Sequence, residues 1–244
     1  MSARHDTGLT RPWMRDGERF AARTVHRIAD ADLRSPSLLP GWSRAHVVGH
    51  LARNAEALGR LAAWARTGVE TPMYRDREQR AAEIEAASAL PAEELRRDLD
   101  RTAGDLERAV DALDDQSWRA EVRSALGRII PAAEIPWMRV REVWLHAVDL
   151  DAGARLGDLP AEVIDTLLDD VTASLSARDG CPAVRLEPAD RDRYWQFGPG
   201  GGTPARSTAA GLHGWLTGRD RDIRVTTPNN RLPGPAFTGF PPRE

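Results

Sequence analysis

A stretch of helical periodicity between residues 44 and 66 constrains the fold of this chain more than any other feature. Small and aliphatic residues recur there at steps of three or four: Val47, Leu51, Ala55, Leu58 and Ala62. This spacing places them along one side of a helix. Ser43 suits the N-cap of that helix, and Gly68 follows its last turn, so both ends of the element are predicted as well.

Three further segments have the length of bundle helices. One runs over about residues 12–32 and begins near Pro12, and another runs over about residues 131–152. Between them, residues 75–113 are charged and helical, and Pro91 divides them because proline interrupts a helix interior but is tolerated at a helix start. Four long helices are typical of an up-down bundle, whose interior is a common place for a metal site.

The pattern changes after Gly153 and predicts a second, smaller α/β domain. Its expected elements are a helix over 160–177, strands over 183–187, 194–197 and 223–225, a glycine-rich turn over 198–202, and a helix from Ser207 to about Leu216. The tail after Pro228 is rich in proline and glycine and is predicted to be extended. We assign residues 1–153 to the helical bundle, with a short hairpin or an irregular excursion over 121–130, and residues 154–244 to the α/β domain.

Composition excludes several classes of function. The net charge is -3, and 34 basic and 37 acidic residues are interspersed, which argues against a broad nucleic-acid-binding face. No apolar run approaches the roughly 20 residues that span a bilayer, and residues 1–10 carry no signal-peptide core. The single cysteine, Cys181, fits a reducing compartment, so we expect a cytoplasmic protein. We interpret Cys181 as a small side chain in a turn.

Histidine and glutamate on two predicted helices have the spacing of metal ligands. His46 and His50 are four residues apart and share one side of a helix, as do Glu142 and His146, with Asp149 on the same side. In an antiparallel bundle, His50, Glu142 and His146 can meet at one interior point. Two imidazoles and a carboxylate suit zinc or a similar ion and leave coordination positions open. Hydrogen-bonded histidines on half-buried helix faces give the same spacing, so both interpretations stand.

Three stretches carry a resemblance to a known family: Gly41–His50, Thr67–Tyr74 and Trp137–Leu150. Together they resemble the mycothiol-dependent maleylpyruvate isomerases, which belong with the DinB-like metal-binding helical bundles. The resemblance extends over nearly the whole chain. It implies a mainly α fold, in which a DinB-like four-helix bundle is followed by a small, sterol-carrier-like α/β domain.

The resemblance also implies a ligand set and cofactors. It assigns the metal ligands to His50, Glu142 and His146 and leaves His46 as a neighbour. The implied cofactors are a divalent metal, zinc in the first place, and mycothiol. The expected partners are therefore a small-molecule substrate and a low-molecular-weight thiol, without nucleic acid or membrane.

An arginine of the C-terminal domain is important for activity in that family. The Gly218-Arg219 pair matches its position, so Arg219 is the catalytic candidate, with Arg221 and Arg224 as nearby alternatives. Arginine suits this role because its planar fork binds carboxylate through two parallel hydrogen bonds. Arg139 and Arg141 are secondary candidates for binding the substrate, although an arginine on a helix more often faces water or pairs with a nearby acid.

The activity implied is the isomerisation of maleylpyruvate to fumarylpyruvate during gentisate degradation. A thiolate adds to the activated alkene, the resulting single bond rotates, and elimination restores the alkene in its trans form. Two alternatives stay open: a mycothiol S-transferase, which would release the conjugate, and a noncatalytic metal- or ligand-binding module. Three tryptophans near the ligand motifs are candidates for a pocket wall, although core packing suits most of them: Trp42, Trp137 and Trp144.

Overall fold

Helices account for most of the computed structural model, which describes residues 3–219. The helices in that range are α1 (Thr7–His26), α2 (Arg44–Thr67), α3 (Arg77–Ser88), α4 (Ala92–Asp111), α5 (Asp115–Arg119), α6 (Ile135–Asp149), α7 (Ala161–Ser176) and α8 (Ala209–Thr217). The strands are β1 (Glu121–Arg123), β2 (Ile129–Pro131), β3 (Val184–Pro188), β4 (Trp195–Phe197) and β5 (Thr203–Ser207). The chain divides into two units between Ala154 and Arg155, called here the helical unit and the C-terminal unit.

Four long helices, α1, α2, α4 and α6, form the core of the helical unit, which confirms the predicted bundle and the mainly α fold class. Both α1 and α2 pack against α4 and α6, so α1 and α2 occupy opposite corners. An up-down bundle would place successive helices side by side, and the structure differs from that expectation. The connection over residues 27–43 is long enough to reach a diagonal position. The shorter α3 packs on α2.

Local capping explains where α2 begins and ends. The Ser43 side chain accepts a hydrogen bond from the backbone N–H of His46, and the His46 ring accepts one from the Ser43 N–H at 3.2 Å. Gly68 ends the helix in the left-handed conformation, with φ 73°, which glycine adopts without steric cost. Both predicted boundaries are confirmed, and Pro91 separates α3 from α4 as expected.

Helix α1 begins earlier than the sequence predicted. The Asp6 side chain caps it by accepting a hydrogen bond from the Gly8 N–H at 3.0 Å, and Pro12 lies inside the helix. The helix also ends at His26, before the predicted residue 32, and a 3-10 turn over Asp30–Arg34 follows. The predicted hairpin is confirmed, because β1 and β2 pair antiparallel.

The C-terminal unit contains a three-stranded sheet in the order β4-β3-β5. Strand β3 pairs antiparallel with β4, which confirms two predicted strands, and parallel with β5, which the sequence did not predict. Because β5 extends to Ser207, the N-cap of α8 is Thr208 rather than Ser207. The predicted strand over 223–225 and the tail after Pro228 lie outside the described residues.

No helix in the described part of the chain has both the length and the apolar character needed to cross a bilayer.

Gly17 of α1 lies against Val143 and Trp144 of α6. A Cβ atom there would lie 2.5 Å from Val143 Cγ2 and 2.7 Å from Trp144 Nε1. We expect Gly17→Ala to lower the free energy of unfolding by about 1–3 kcal/mol, because overpacking outweighs the gain in helix propensity. Gly59→Ala is the matched control, since no atom lies within 4 Å of its Cβ position. Urea denaturation measures both, and equal midpoints for the two variants would contradict the prediction.

Candidate metal centre

Three potential ligand side chains meet between α2 and α6. His50 comes from α2, and Glu142 and His146 lie one turn apart on α6. One oxygen of Glu142 lies 2.8 Å from His50 Nε2 and 3.2 Å from His146 Nε2. Their ligand atoms all lie within 4.8 Å of one another. The structure therefore brings together the three residues that the resemblance assigns as ligands, which we call the His-Glu-His cluster.

The cluster is largely buried, but it is not closed to solvent. The His50 side chain is 6% exposed and that of His146 15%, whereas the Glu142 side chain is 30% exposed. Two imidazole nitrogens and a carboxylate oxygen fit zinc and similar divalent ions, and three protein ligands leave coordination positions for other molecules. The donor set therefore fits a divalent metal ion.

Burial and hydrogen bonding determine the charge states within the cluster. Burial lowers the pKa of His50 to about 4, against the opposing effect of Glu142. Burial acts to raise the pKa of Glu142, but hydrogen bonds from both imidazoles outweigh it and hold that pKa well below its usual range. At neutral pH, His50 is therefore neutral and Glu142 ionised, which are the forms in which these groups bind metals.

Asp149 holds His146 from the side opposite Glu142. Its Oδ2 lies 2.8 Å from His146 Nδ1, and its side chain is fully buried. Burial acts to lower the pKa of His146, but the hydrogen bonds to Asp149 and Glu142 outweigh it and raise the pKa to about 9. A carboxylate behind a ligand imidazole fixes its orientation and increases its basicity.

We expect Asp149→Asn to weaken metal binding by roughly 10- to 100-fold without changing the ligand set, as loss of an outer carboxylate does at other sites. Competition against a chromophoric chelator measures the dissociation constant. The control is Asp151→Asn, at an exposed position two residues further on. Equal metal affinity in the two variants would show that Asp149 does not support the cluster.

His46 belongs to the helix cap rather than to the cluster. Its Nδ1 lies 2.7 Å from Ser43 Oγ, and its Nε2 lies 3.1 Å from Glu85 Oε2. The Trp42 ring lies 5.6 Å from the His50 ring, measured between centroids, so Trp42 borders the cluster. The other two candidate tryptophans pack in the core, where Trp137 is 1% and Trp144 4% exposed.

Arg139 has a different environment from the one the sequence suggested. Its side chain is fully buried and binds both oxygens of Glu18, at 2.7 and 3.1 Å. It also donates to the Leu51 carbonyl at 2.8 Å and to Asn54 Oδ1 at 2.9 Å. These partners favour the alternative interpretation, in which Arg139 pairs with a nearby acid, over binding of the substrate. Arg141 is half-buried on the same helix.

Candidate residues of the C-terminal unit lie near the end of the described chain. Arg219 follows Gly218, the left-handed C-cap of α8, and its N–H donates to the Gly214 carbonyl at 2.9 Å. Arg221 and Arg224 lie outside the described residues. Cys181 is half-exposed, and burial raises the pKa of its thiol, which disfavours the nucleophilic thiolate.

Two residues near the cluster had no role in the sequence interpretation. The guanidinium carbons of Arg60 and Arg80 lie 5.8 and 5.9 Å from the centroid of the Tyr74 ring, and Arg80 reaches His50. The Thr-Pro-Met-Tyr stretch that carries part of the resemblance singles out Tyr74 but indicates no role for it. Arg80 belongs to a charged helix on which nothing in the sequence distinguishes it from neighbouring arginines.

Comparison with known proteins gives consistent matches. The family model described as mycothiol maleylpyruvate isomerase N-terminal domain matches residues 14–151. The crystal structure of the mycothiol-dependent maleylpyruvate isomerase is 34% identical, with a TM-score of 0.90, and the match covers 96% of this chain and 99% of that one. A histidine-to-alanine mutant of that enzyme matches with the same identity and coverage and a TM-score of 0.89. No curated protein sequence matches.

A more distant structural match is YfiT from Bacillus subtilis, described as having an unusual four-helix bundle topology. It is 18% identical, with a TM-score of 0.50, and the match covers 59% of this chain and 83% of that one. At this identity the likeness shows a shared fold alone.

Proposed function

The chain belongs to the mycothiol-dependent maleylpyruvate isomerase family, and from this membership we propose that it converts maleylpyruvate to fumarylpyruvate with a divalent metal and mycothiol. The observation that carries the proposal is the His-Glu-His cluster, which lies within a chain that matches the solved isomerase over almost its whole length. Zinc is the metal we propose first, and the cytoplasm is the expected compartment. The reaction would serve gentisate degradation.

His50, Glu142 and His146 would hold the metal ion. When bound, such an ion lowers the pKa of a coordinated thiol and polarises a substrate oxygen. The contribution of the chain is to hold two imidazoles and a carboxylate close together, with 30% of the Glu142 side chain exposed. Trp42 provides an apolar surface beside the His-Glu-His cluster.

The proposed reaction needs no net change in atoms or electrons. The sulfur of mycothiol adds to one alkene carbon, and the electron pair of the double bond moves into an enolate. The carbon-carbon bond that was double is now single and rotates. Loss of the same sulfur then restores the double bond and gives the trans product. The protein must therefore stabilise a negative charge that develops on the substrate, and Arg219 is the residue we propose for it.

We expect Arg219→Ala to lower kcat by about 10²–10³-fold, which is the usual loss when a donor to a developing oxyanion is removed. Metal content, measured by plasma emission, should stay at the wild-type level. Arg206→Ala is the control, because Arg206 is an exposed arginine of the same unit that pairs with Glu187 at 2.8 Å. Wild-type turnover in Arg219→Ala would remove this residue from the mechanism.

A spectrophotometric assay tests the proposed function directly. Purified zinc-loaded protein is mixed with maleylpyruvate, with and without mycothiol, and the formation of fumarylpyruvate is followed. Isomerisation that depends on the thiol supports the proposal. Formation of a stable thiol conjugate without isomerisation would instead identify an S-transferase, and the absence of both reactions would refute the proposal.

A further inference from the structure

Arg80 places a positive charge beside the His-Glu-His cluster. It lies on α3, and one of its terminal nitrogens is 3.4 Å from His50 Nδ1. The side chain is half-buried, so solvent screens its charge only in part. It contributes to lowering the pKa of His50, after burial and other groups. An arginine is thus built into the surroundings of the cluster from a third helix.

Tyr74 orients this guanidinium. The Arg80 guanidinium carbon lies 5.9 Å from the centroid of the Tyr74 ring, and that of Arg60 lies 5.8 Å from it. Arg60 is anchored, because it donates two hydrogen bonds to the Met73 carbonyl, at 2.9 and 2.6 Å. Burial raises the pKa of Tyr74, and the charges of Arg80 and Glu142 also act on it, so the phenol shares their surroundings.

Arg80 differs from other arginines of the helical unit in its partners. Several of these form ion pairs with carboxylates, as Arg96 does with Asp30 at 2.6 Å. The partners of Arg80 in the described part of the chain are the imidazole of His50 and the ring and hydroxyl of Tyr74, not a carboxylate. If Nε2 of the neutral His50 ring bound the metal ion, the ring proton would lie on Nδ1. Nδ1 could then not accept a hydrogen bond from Arg80. The N–H groups of Arg80 are then available to a ligand.

We propose that Arg80 binds a carboxylate of the anionic substrate at the metal centre, with Tyr74 holding the guanidinium in place. A guanidinium presents two parallel N–H groups that match a carboxylate, and partial burial strengthens the pairing. The identity of the substrate and the metal ion at His50 rest on the proposed function, whereas the position of Arg80 beside the cluster is a feature of the structure. Maleylpyruvate carries two carboxylates, and Arg80 would bind one of them.

Maleate, a cis-alkene dicarboxylate that cannot isomerise without a thiol, is the probe. Its dissociation constant is measured by titration calorimetry on the zinc-loaded full-length protein. We expect Arg80→Met to weaken maleate binding by roughly 10- to 100-fold, the cost of a charge-assisted hydrogen-bonded pair, with zinc content unchanged. Arg80→Lys keeps the positive charge but loses the planar fork of the guanidinium. Its dissociation constant for maleate should lie between those of the wild type and Arg80→Met. The control is Arg75→Met, an exposed arginine whose partner is Asp76 at 2.7 Å.

Kinetics give a second readout. In the isomerase assay, Arg80→Met should raise KM for maleylpyruvate more than it lowers kcat, since the pairing is made in the ground state as well as the transition state. Unchanged maleate affinity in Arg80→Met would overturn the proposal, and so would failure of the wild type to bind maleate at millimolar concentration. Loss of zinc from Arg80→Met and Arg80→Lys would also overturn it, by making Arg80 a positioning residue for His50.

The same experiments separate this inference from the proposed function. A wild-type protein that binds maleate through Arg80 but does not isomerise maleylpyruvate would refute the activity and leave the carboxylate site in place. A protein that isomerises maleylpyruvate while Arg80→Met binds maleate normally would support the activity and refute the site.

Discussion

Glu142→Gln is expected to abolish both metal binding and turnover while leaving the helical fold intact. Glutamine has the shape of glutamate, but it lacks the charge that two imidazoles stabilise at 2.8 and 3.2 Å. Metal affinity should fall by more than the roughly 10- to 100-fold that loss of an outer carboxylate costs. Turnover should fall by about a thousandfold or more, because a bound metal contributes several kcal/mol to stabilising the transition state.

Glu85→Gln is the matched control for Glu142→Gln. Glu85 also faces an imidazole, that of His46 at 3.1 Å, but its side chain is 77% exposed and it lies outside the cluster. Metal content, circular dichroism and the isomerase assay are measured on both variants, and His50→Ala and His146→Ala should repeat the loss seen in Glu142→Gln. Stoichiometric metal in all three cluster variants would exclude the His-Glu-His cluster as the metal site.

The second large effect is expected at Arg139, and on stability rather than chemistry. Arg139→Met leaves the carboxylate of Glu18, whose side chain is 16% exposed, without its partner in the bundle. Removing one member of a buried ion pair costs about 3–5 kcal/mol. The substitution also removes the hydrogen bonds that Arg139 donates to the Leu51 carbonyl and to Asn54 Oδ1. Urea denaturation should show a lower midpoint with an unchanged slope.

Two further variants distinguish this role from others. Replacing both members of the pair, in Arg139→Met/Glu18→Met, should recover much of the lost stability, since no charge is then left buried. Arg97→Met, which removes an exposed ion pair with Glu93, should cost less than about 1 kcal/mol. If the folded Arg139→Met protein kept full stability but had a raised KM for maleylpyruvate, the original assignment of Arg139 to substrate binding would be restored.

Local patterns predicted the parts of the fold that depend on local chemistry. Ser43, Gly68 and Pro91 mark helix boundaries through capping and backbone geometry, and each boundary was predicted correctly. Strand β5 was missed because a five-residue segment that contains Pro204 shows no clear alternation and is a strand only through pairing with β3. The diagonal placement of α1 and α2 likewise depends on packing between helices, which periodicity does not encode.

The site shows the same division. Periodicity predicted which face of each helix carries His50, Glu142 and His146, and the structure places them together. Burial of Arg139 and the approach of Arg80 to His50 could not be predicted, because arginines are usually exposed and only the tertiary structure brings these side chains to their partners. The roles of the cluster and of Arg219 stay predictions.

The cluster draws its ligand atoms from helices far apart in the chain, and His50 and Glu142 are 92 positions apart. In the unfolded chain, a metal ion could still bind Glu142 and His146, which are close in sequence. Binding His50 as well would require closing a long loop, which has an entropic cost. An ion that engages all three therefore selects the folded chain over the unfolded one. At a free concentration of 100 times its dissociation constant, such selectivity adds about 2.7 kcal/mol to conformational stability. Cellular metal supply would in this way set the lifetime of the protein as well as its activity.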